Sequence, residues 1–245
     1  MKTQNSNKEI LSPHVSVDCV LLGIVDDELC VLLAELTREN SEKGFKLPGS
    51  LIYETEDLDQ AASRILKEST GLTRIPLKQF RSFGDPSRTT NKDDVHWLER
   101  ASKLKVGRIV TVAYLALCKV RKRMNTSERY NTAHWLPVDK LPRLLLDHEH
   151  IVKTAVQEIR KWADVEPKIV FDYLPPKFTA AELRRTYEII YDKKLDVRNF
   201  HKKMNSLGYI IATDEMEEGV PHRSARFYRF DAIKYKKIYS KLSNN

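Results

Sequence analysis

Between Leu47 and Leu72 the chain reads LPGSLIYETEDLDQAASRILKESTGL, and this segment constrains the fold more than any other. Leu58, Ala61, Ala62, Ile65 and Leu66 recur at the i, i+3, i+4, i+7, i+8 spacing of one helical face, which predicts an amphipathic helix over residues 57–70. Asp57 can accept the free N–H groups at its start, and Gly71 can adopt the left-handed backbone that ends it. Ahead of the helix, Pro48 pushes Leu47 away from helical backbone, so Phe45–Gly49 reads as extended. A helix with one apolar stripe must be covered on that side by other elements.

Those elements are legible on either flank. VSVDCVLLGIV and LCVLLAE, separated by the polar Asp26-Asp27-Glu28, predict a β-hairpin over residues 15–35. Ile109–Val120 predicts a further strand, and Ile151, Val152, Ala155 and Ile159 predict a helix over Asp147–Trp162. Asp85–Lys105 is polar and reads as a long loop, and Trp135-Leu136-Pro137 as a turn. Strands around an interposed helix, closed by a helix, give an α/β (α+β) first domain over residues 1–162. Ala163–Lys168, with Asp164, Glu166 and Pro167, is the expected linker to a second domain over residues 169–245.

With 41% hydrophobic and 31% charged residues among 245, the chain can bury an ordinary core and is excluded from the disordered class. No apolar run approaches the ~18 residues of a membrane span, and the polar start MKTQNSNKEI has no signal core, so a cytoplasmic protein without a membrane partner is expected. Cys19, Cys30 and Cys118 stand singly in apolar runs and read as reduced core residues, with no metal or other cofactor expected. The formal charge of +8 permits binding to phosphate, and residues 166–245 are its denser part, with 16 Lys and Arg against 11 Asp and Glu.

The Leu47–Leu72 stretch resembles the loop-helix-loop signature of Nudix hydrolases, GX5EX7REUXEEXGU with U a bulky aliphatic residue. Glu56, Arg64, Leu66, Glu68, Gly71 and Leu72 fall on the pattern's Glu, Arg, aliphatic, first Glu of the pair, Gly and final aliphatic, without a gap. Leu47-Pro48-Gly49, Ser82-Phe83-Gly84-Asp85-Pro86 and Asp147-His148-Glu149 are further family-like features, and the resemblance covers about residues 12–162. Three positions depart from it: Ser50 replaces a glycine, and Ile65 and Ser69 replace glutamates. In active members of the family those glutamates hold the Mg²⁺ that bridges a pyrophosphate, and Mg²⁺ needs hard oxygen ligands that isoleucine lacks. A catalytically silent domain is therefore expected, with Arg64 bridging Glu56 and Glu68 as a structural clamp. The resemblance also implies that Lys46, Glu56, Asp85 and Arg88 sit where the family's pocket opens and serve as ligand-binding candidates.

In the second domain, Thr179 and Glu182 form a capping-box pattern ahead of a helix Ala180–Tyr191, and Asp196 caps another from Val197 to Leu207. Val197, Phe200, Met204 and Leu207 form the apolar stripe of that second helix. Burying the stripe turns Arg198, Asn199, His201, Lys202, Lys203 and Asn205 outward, a residue set that suits a DNA recognition helix. Arg198 and Asn199 are the expected base readers, with Lys202 and Lys203 on phosphate. Tyr209–Thr213 and Ala225–Phe230 then read as the strands of a β-wing, with Arg223 and Arg226 as further DNA contacts, completing a winged helix-turn-helix.

A Nudix-like domain followed by this module resembles the Nudix-related transcriptional regulators. That resemblance implies a homodimer on a palindromic double-stranded operator, a repressor released by a small sugar or sugar-nucleotide effector. The missing box carboxylates point to the arabinose-responsive AraR-type branch, with L-arabinose as first-choice effector and sugar utilisation as the regulated process. The alternatives are an ADP-ribose-sensing regulator of NAD metabolism, a Nudix hydrolase with rerouted metal ligands, and an RNA-associated or protein-bridging module.

Overall fold

The first strand, β1 (Leu11–Val25), is buried without interruption from Val17 to Gly23, which is the signature of a strand covered on both faces. It pairs antiparallel with β2 (Glu28–Thr37) through a two-residue turn in which Asp26 and Asp27 take φ of 46° and 66°. Two left-handed residues match the twist of a hairpin, and aspartate tolerates that backbone better than most side chains. The computed structural model describes residues 10–37, 43–120, 133–219, 221 and 224–242.

β3 (Lys43–Lys46) pairs with β2, and β4 (Gly49–Tyr53) pairs with β1. Next comes α1 (Leu58–Thr70), opened by a reciprocal capping box between Asp57 and Gln60 and closed by Gly71 at φ 69°. Its apolar face, Ala61, Ala62, Ile65 and Leu66, packs in one cluster with Val17, Leu21 and Leu32. β5 (Lys78–Phe83) and β6 (Val110–Leu117) complete the centre of the sheet, β6 running parallel to β1. The strand order is β3-β2-β1-β6-β5, and β7 (Ala133–Pro137) adds to β2.

The polar stretch Asp85–Lys105 is not a loop. A 3-10 turn at Pro86–Thr89 leads into α2 (Lys92–Ser102), whose cap Asn91 accepts from the N–H groups of Asp93 and Asp94. Periodicity misses this helix because its buried residue is a carboxylate, Asp94, which accepts from Leu146 N–H at 3.0 Å and pairs with Arg143 at 3.2 Å. Trp135-Leu136-Pro137 likewise belongs to a strand, paired with β2, and not to a turn.

α3 (His148–Val165) is one continuous helix. The chain divides into two compact units between Glu158 and Ile159, within that helix, and the expected linker is mostly helical: Ala163–Val165 end α3, and Lys168 begins α4 (Lys168–Tyr173). Only Glu166 and Pro167 stand between the two helices, and Pro167 is the break, since it cannot donate an N–H to a continuing helix.

The second unit continues with β8 (Phe178–Thr179), α5 (Ala180–Tyr191), α6 (Val197–Ser206), β9 (Ile210–Met216), β10 (Arg226–Phe230) and α7 (Ala232–Leu242). The three strands form one antiparallel sheet in the order β8-β10-β9. Its core is aromatic: Phe171 stacks on Phe230 at 4.6 Å, and Tyr209 meets Phe171, Phe230 and Tyr235 edge-on or tilted. Buried Glu188 ties the α5–α6 turn, accepting from Arg184 at 2.7 Å and from Leu195 N–H at 2.9 Å.

Candidate functional site

The first unit holds a cavity of about 480 Å³ between the sheet, α1 and α2. Its lining is in part apolar, with Leu51, Leu98, Ile109 and Trp97. It also includes a buried polar cluster of Asp18, Lys46, Arg88 and His148. Asp18 interrupts the apolar run of β1 and anchors the cluster, accepting from Thr111 Oγ1 at 2.7 Å with Arg88 Nη2 at 3.9 Å and His148 Nε2 at 3.5 Å. Leu47 N–H donates to His148 Nδ1 at 3.0 Å, so the imidazole proton resides on Nε2 and faces Asp18. Burial holds the His148 pKa below its ordinary value, which keeps the ring neutral.

Arg88 donates from Nε to Asp147 at 3.2 Å and from Nη1 to the Phe83 carbonyl at 3.2 Å. Lys46 Nζ donates to the carbonyls of Leu47 and Gly49 at 3.0 and 2.7 Å, and burial pushes its pKa down to about 8. The Leu-Pro-Gly turn that passes beneath has no room for a side chain. A Cβ on Gly49 would lie 1.8 Å from Asp18 Oδ1, while the Pro48 carbonyl accepts from Cys19 N–H at 2.7 Å.

Of the four expected ligand residues, Lys46 and Arg88 line the cavity, whereas Glu56 and Asp85 do not. Asp85 is exposed and caps the 3-10 turn through Ser87 N–H at 2.8 Å. Glu56 is taken by Arg64, which donates to its Oε2 from Nε at 2.9 Å and to its Oε1 from Nη2, and by Tyr53 N–H at 2.8 Å. Asp18 and Trp97 are cavity residues outside the expected set. Asp18 had a visible signal as the one carboxylate inside VSVDCVLLGIV, and Trp97 had none, because its surroundings are polar.

The Nudix-box positions do not fit the Mg²⁺ that the fold family implies. Ile65 and Ser69 are fully buried in the face of α1 that packs on the sheet, so these positions face the core and not the cavity. Glu68 lines the cavity but lies 3.2 Å from Arg64 Nη1. Among the described residues there is no group of three or more His, Cys, Asp or Glu placed to hold a metal ion.

In the second unit, Phe200 and Leu207 are half-buried and Met204 is buried, and they fix the orientation of α6. Val197 departs from the expected stripe: at 52% exposed, it stands in the first turn of the helix. Arg198, Asn199, His201, Lys202, Lys203 and Asn205 are all exposed. Helical geometry places Arg198, Lys202 and Asn205 opposite the buried side chains, with His201 beside them. Asn199 and Lys203 are one helical turn apart on the flank, where they line a groove with Phe200 and Leu207. β9 and β10 form the wing, and Arg226 is exposed opposite Met216. Arg223 lies outside the described residues. Exposed Asp214, Glu215 and Glu218 place negative charge on the wing near Arg226, whereas α6 exposes Arg198, Lys202 and Lys203 and contains no acidic residue.

A Nudix-type α/β domain followed by a winged helix is the class that fold and site define. The chain belongs to the Nudix domain family, whose NUDIX domain pattern matches residues 12–158, and the pattern of the NrtR DNA-binding winged helix domain matches residues 170–230. It is 25% identical over 231 residues to the ADPR responsive transcriptional repressor NtrR of Acinetobacter baylyi, covering 93% of this chain and 86% of that protein. It is 26% identical over 144 residues to the ADP-ribose pyrophosphatase of Methanocaldococcus jannaschii, covering 58% and 73%. The crystal structure of Shewanella oneidensis NrtR superposes with a TM-score of 0.65 at 25% identity, covering 88% of this chain and 93% of that one. The expected arabinose-responsive AraR-type branch, with L-arabinose and sugar utilisation, is not supported: both relatives are named for ADP-ribose. The missing box carboxylates argue against metal chemistry, and they do not argue for a free pentose. Among the described residues no helix is long and apolar enough to cross a membrane.

Proposed function

We propose that this protein is a transcriptional repressor that binds operator DNA through α6 and is controlled by ADP-ribose in the Nudix cavity. One observation carries the reading: a helix whose buried Met204 and half-buried Phe200 turn Arg198, Lys202 and Asn205 to solvent, in the same chain as a partly apolar, partly polar cavity. Arginine and asparagine read guanine and adenine edges in the major groove, and lysine neutralises phosphate. The cavity suits a ligand with a flat base for the apolar lining that includes Trp97 and a polar diphosphate and ribose for the polar residues. The ADP-ribose named in two relatives has that composition. Two copies on a palindrome, acting in the cytoplasm, would present their recognition helices to half-sites about one DNA turn apart.

The cavity residues support binding without hydrolysis, since a carboxylate set for Mg²⁺ is not assembled on α1. Selection of bound duplexes from a random pool by the full chain, followed by calorimetric titration of ADP-ribose, tests both halves. A recurrent palindrome together with saturable ADP-ribose binding is the expected result. Absence of any enriched sequence rejects the DNA reading, and absence of ligand heat rejects the effector.

A further inference from the structure

Arg64 carries two carboxylates that differ in what a ligand could reach. Glu56 takes Nε and Nη2 together, accepts from Tyr53 N–H as well, and its side chain is 11% exposed. Glu68 meets Nη1 at 3.2 Å, is 28% exposed, and lines the cavity. The guanidinium also lines the cavity, 4.4 Å above the Tyr53 ring, with Nη2 on the Leu51 carbonyl at 3.3 Å. The other two cavity cations are buried and committed, Lys46 to backbone carbonyls and Arg88 to Asp147 and Phe83. Glu68 is the more exposed of the two carboxylates and the one in the cavity lining, so it is the acceptor that an incoming diphosphate meets.

We infer that the cavity recognises the diphosphate of its ligand without a divalent cation, through Arg64, and that Glu68 masks this guanidinium instead of serving as a metal ligand. The inference rests on the ADP-ribose reading above. A cation bound by Glu68 would have to detach it from Arg64, leaving a guanidinium and a divalent ion side by side with Ile65 and Ser69 turned away into the core. An incoming diphosphate instead exchanges one anionic acceptor for another at Nη1, which keeps a charge-assisted hydrogen bond on the guanidinium.

The two roles make opposite predictions for Glu68→Gln. A lost metal ligand weakens binding, whereas a removed mask takes a negative charge from within a few ångströms of the diphosphate and raises affinity, by about three- to tenfold. The test is calorimetric titration of ADP-ribose into the full-length protein in EDTA and in excess Mg²⁺, for the parent chain, Glu68→Gln, Glu68→Ala, Arg64→Lys and Arg64→Gln. Expected are equal affinities of the parent in the two buffers, tighter binding by both Glu68 variants, and weaker binding in the order Arg64→Lys, then Arg64→Gln. A parent that binds markedly tighter with Mg²⁺, or Glu68 variants that bind equally or more weakly, overturns the inference while leaving ADP-ribose as the effector. If the parent binds ADP-ribose in neither buffer, the effector reading itself fails and takes the inference with it.

Discussion

Replacing Gly49 by alanine should destabilise the first unit strongly, because the added methyl group meets the Asp18 carboxylate. The new Cβ would lie 1.8 Å from Asp18 Oδ1 and 3.0 Å from the Val17 carbonyl, so the carboxylate has to swing by more than an ångström. Asp18 is only 4% exposed and sits among Thr111, Arg88 and His148, so a swing of its carboxylate disturbs those contacts. Its hydrogen bond from Thr111 at 2.7 Å is lost, about 1.5–3 kcal/mol for a charged acceptor, and overpacking adds about 1–3 kcal/mol. Together these give about 2.5–6 kcal/mol, or a fall of about 5–24 °C in Tm for a domain of this size. Calorimetric melting of Gly49→Ala, read on the transition of the first unit, measures it. The same change made in an Asp18→Ala background should cost less than about 1 kcal/mol beyond Asp18→Ala alone, because the clash partner is gone. A Gly49→Ala melt within about 2 °C of the parent, or full additivity with Asp18→Ala, would refute the close-approach explanation of the Leu-Pro-Gly turn.

With Mg²⁺ or Mn²⁺ the protein should not hydrolyse ADP-ribose above background, and turnover on the order of 1 per second would sink the silent-domain reading. Arg198→Ala should cost roughly 1–3 kcal/mol on the selected duplex and relax preference at one base pair per half-site. Lys202→Ala should weaken selected and random duplexes alike and lower the salt slope by about one unit; equal losses on both duplexes for Arg198→Ala would move the reader to another face. The Glu56 carboxylate is held below its ordinary 4.5: burial raises it, but the hydrogen bonds from Arg64 and Tyr53 outweigh burial. A lowered carboxylate stabilises the fold above 4.5 and loses that contribution as pH falls through the lowered value. Urea unfolding between about pH 7 and about pH 3 should therefore show the advantage over Glu56→Gln shrinking with acid, and an advantage undiminished at the acid end contradicts the clamp.

What the sequence made legible was whatever rests on local chemistry with a fixed spacing. The cap at Asp57, the glycine end at Gly71, the capping box and helix at Thr179, the helix after Asp196 and the box departures at Ile65 and Ser69 were all readable in linear order. α2 was hidden because its anchor is Asp94, a carboxylate satisfied by Leu146 N–H and Arg143 some fifty residues away, and no apolar period marks such a helix. β5 was hidden because most of its residues are exposed, so alternation is faint. The polar cluster of the cavity is assembled by sheet register, since the parallel pairing of β1 with β6 places Thr111 beside Ser16 and within reach of Asp18. Lys46 and Arg88 could be nominated from their motifs, but which acceptors hold them depends on that register. The effector was not legible for a different reason: lost carboxylates report the loss of a metal and leave the identity of the bound molecule open.

The measurement that bears most directly on the whole account is fluorescence anisotropy of a labelled duplex taken from the random-pool selection, with full-length protein bound and ADP-ribose titrated in under metal-free conditions. The account predicts saturable release of the duplex by ADP-ribose, at concentrations matching the calorimetric affinity, and no release by AMP and ribose 5-phosphate added together at the same concentrations. Anisotropy that stays flat while calorimetry shows the ligand bound, or equal release by the unlinked halves, would contradict it.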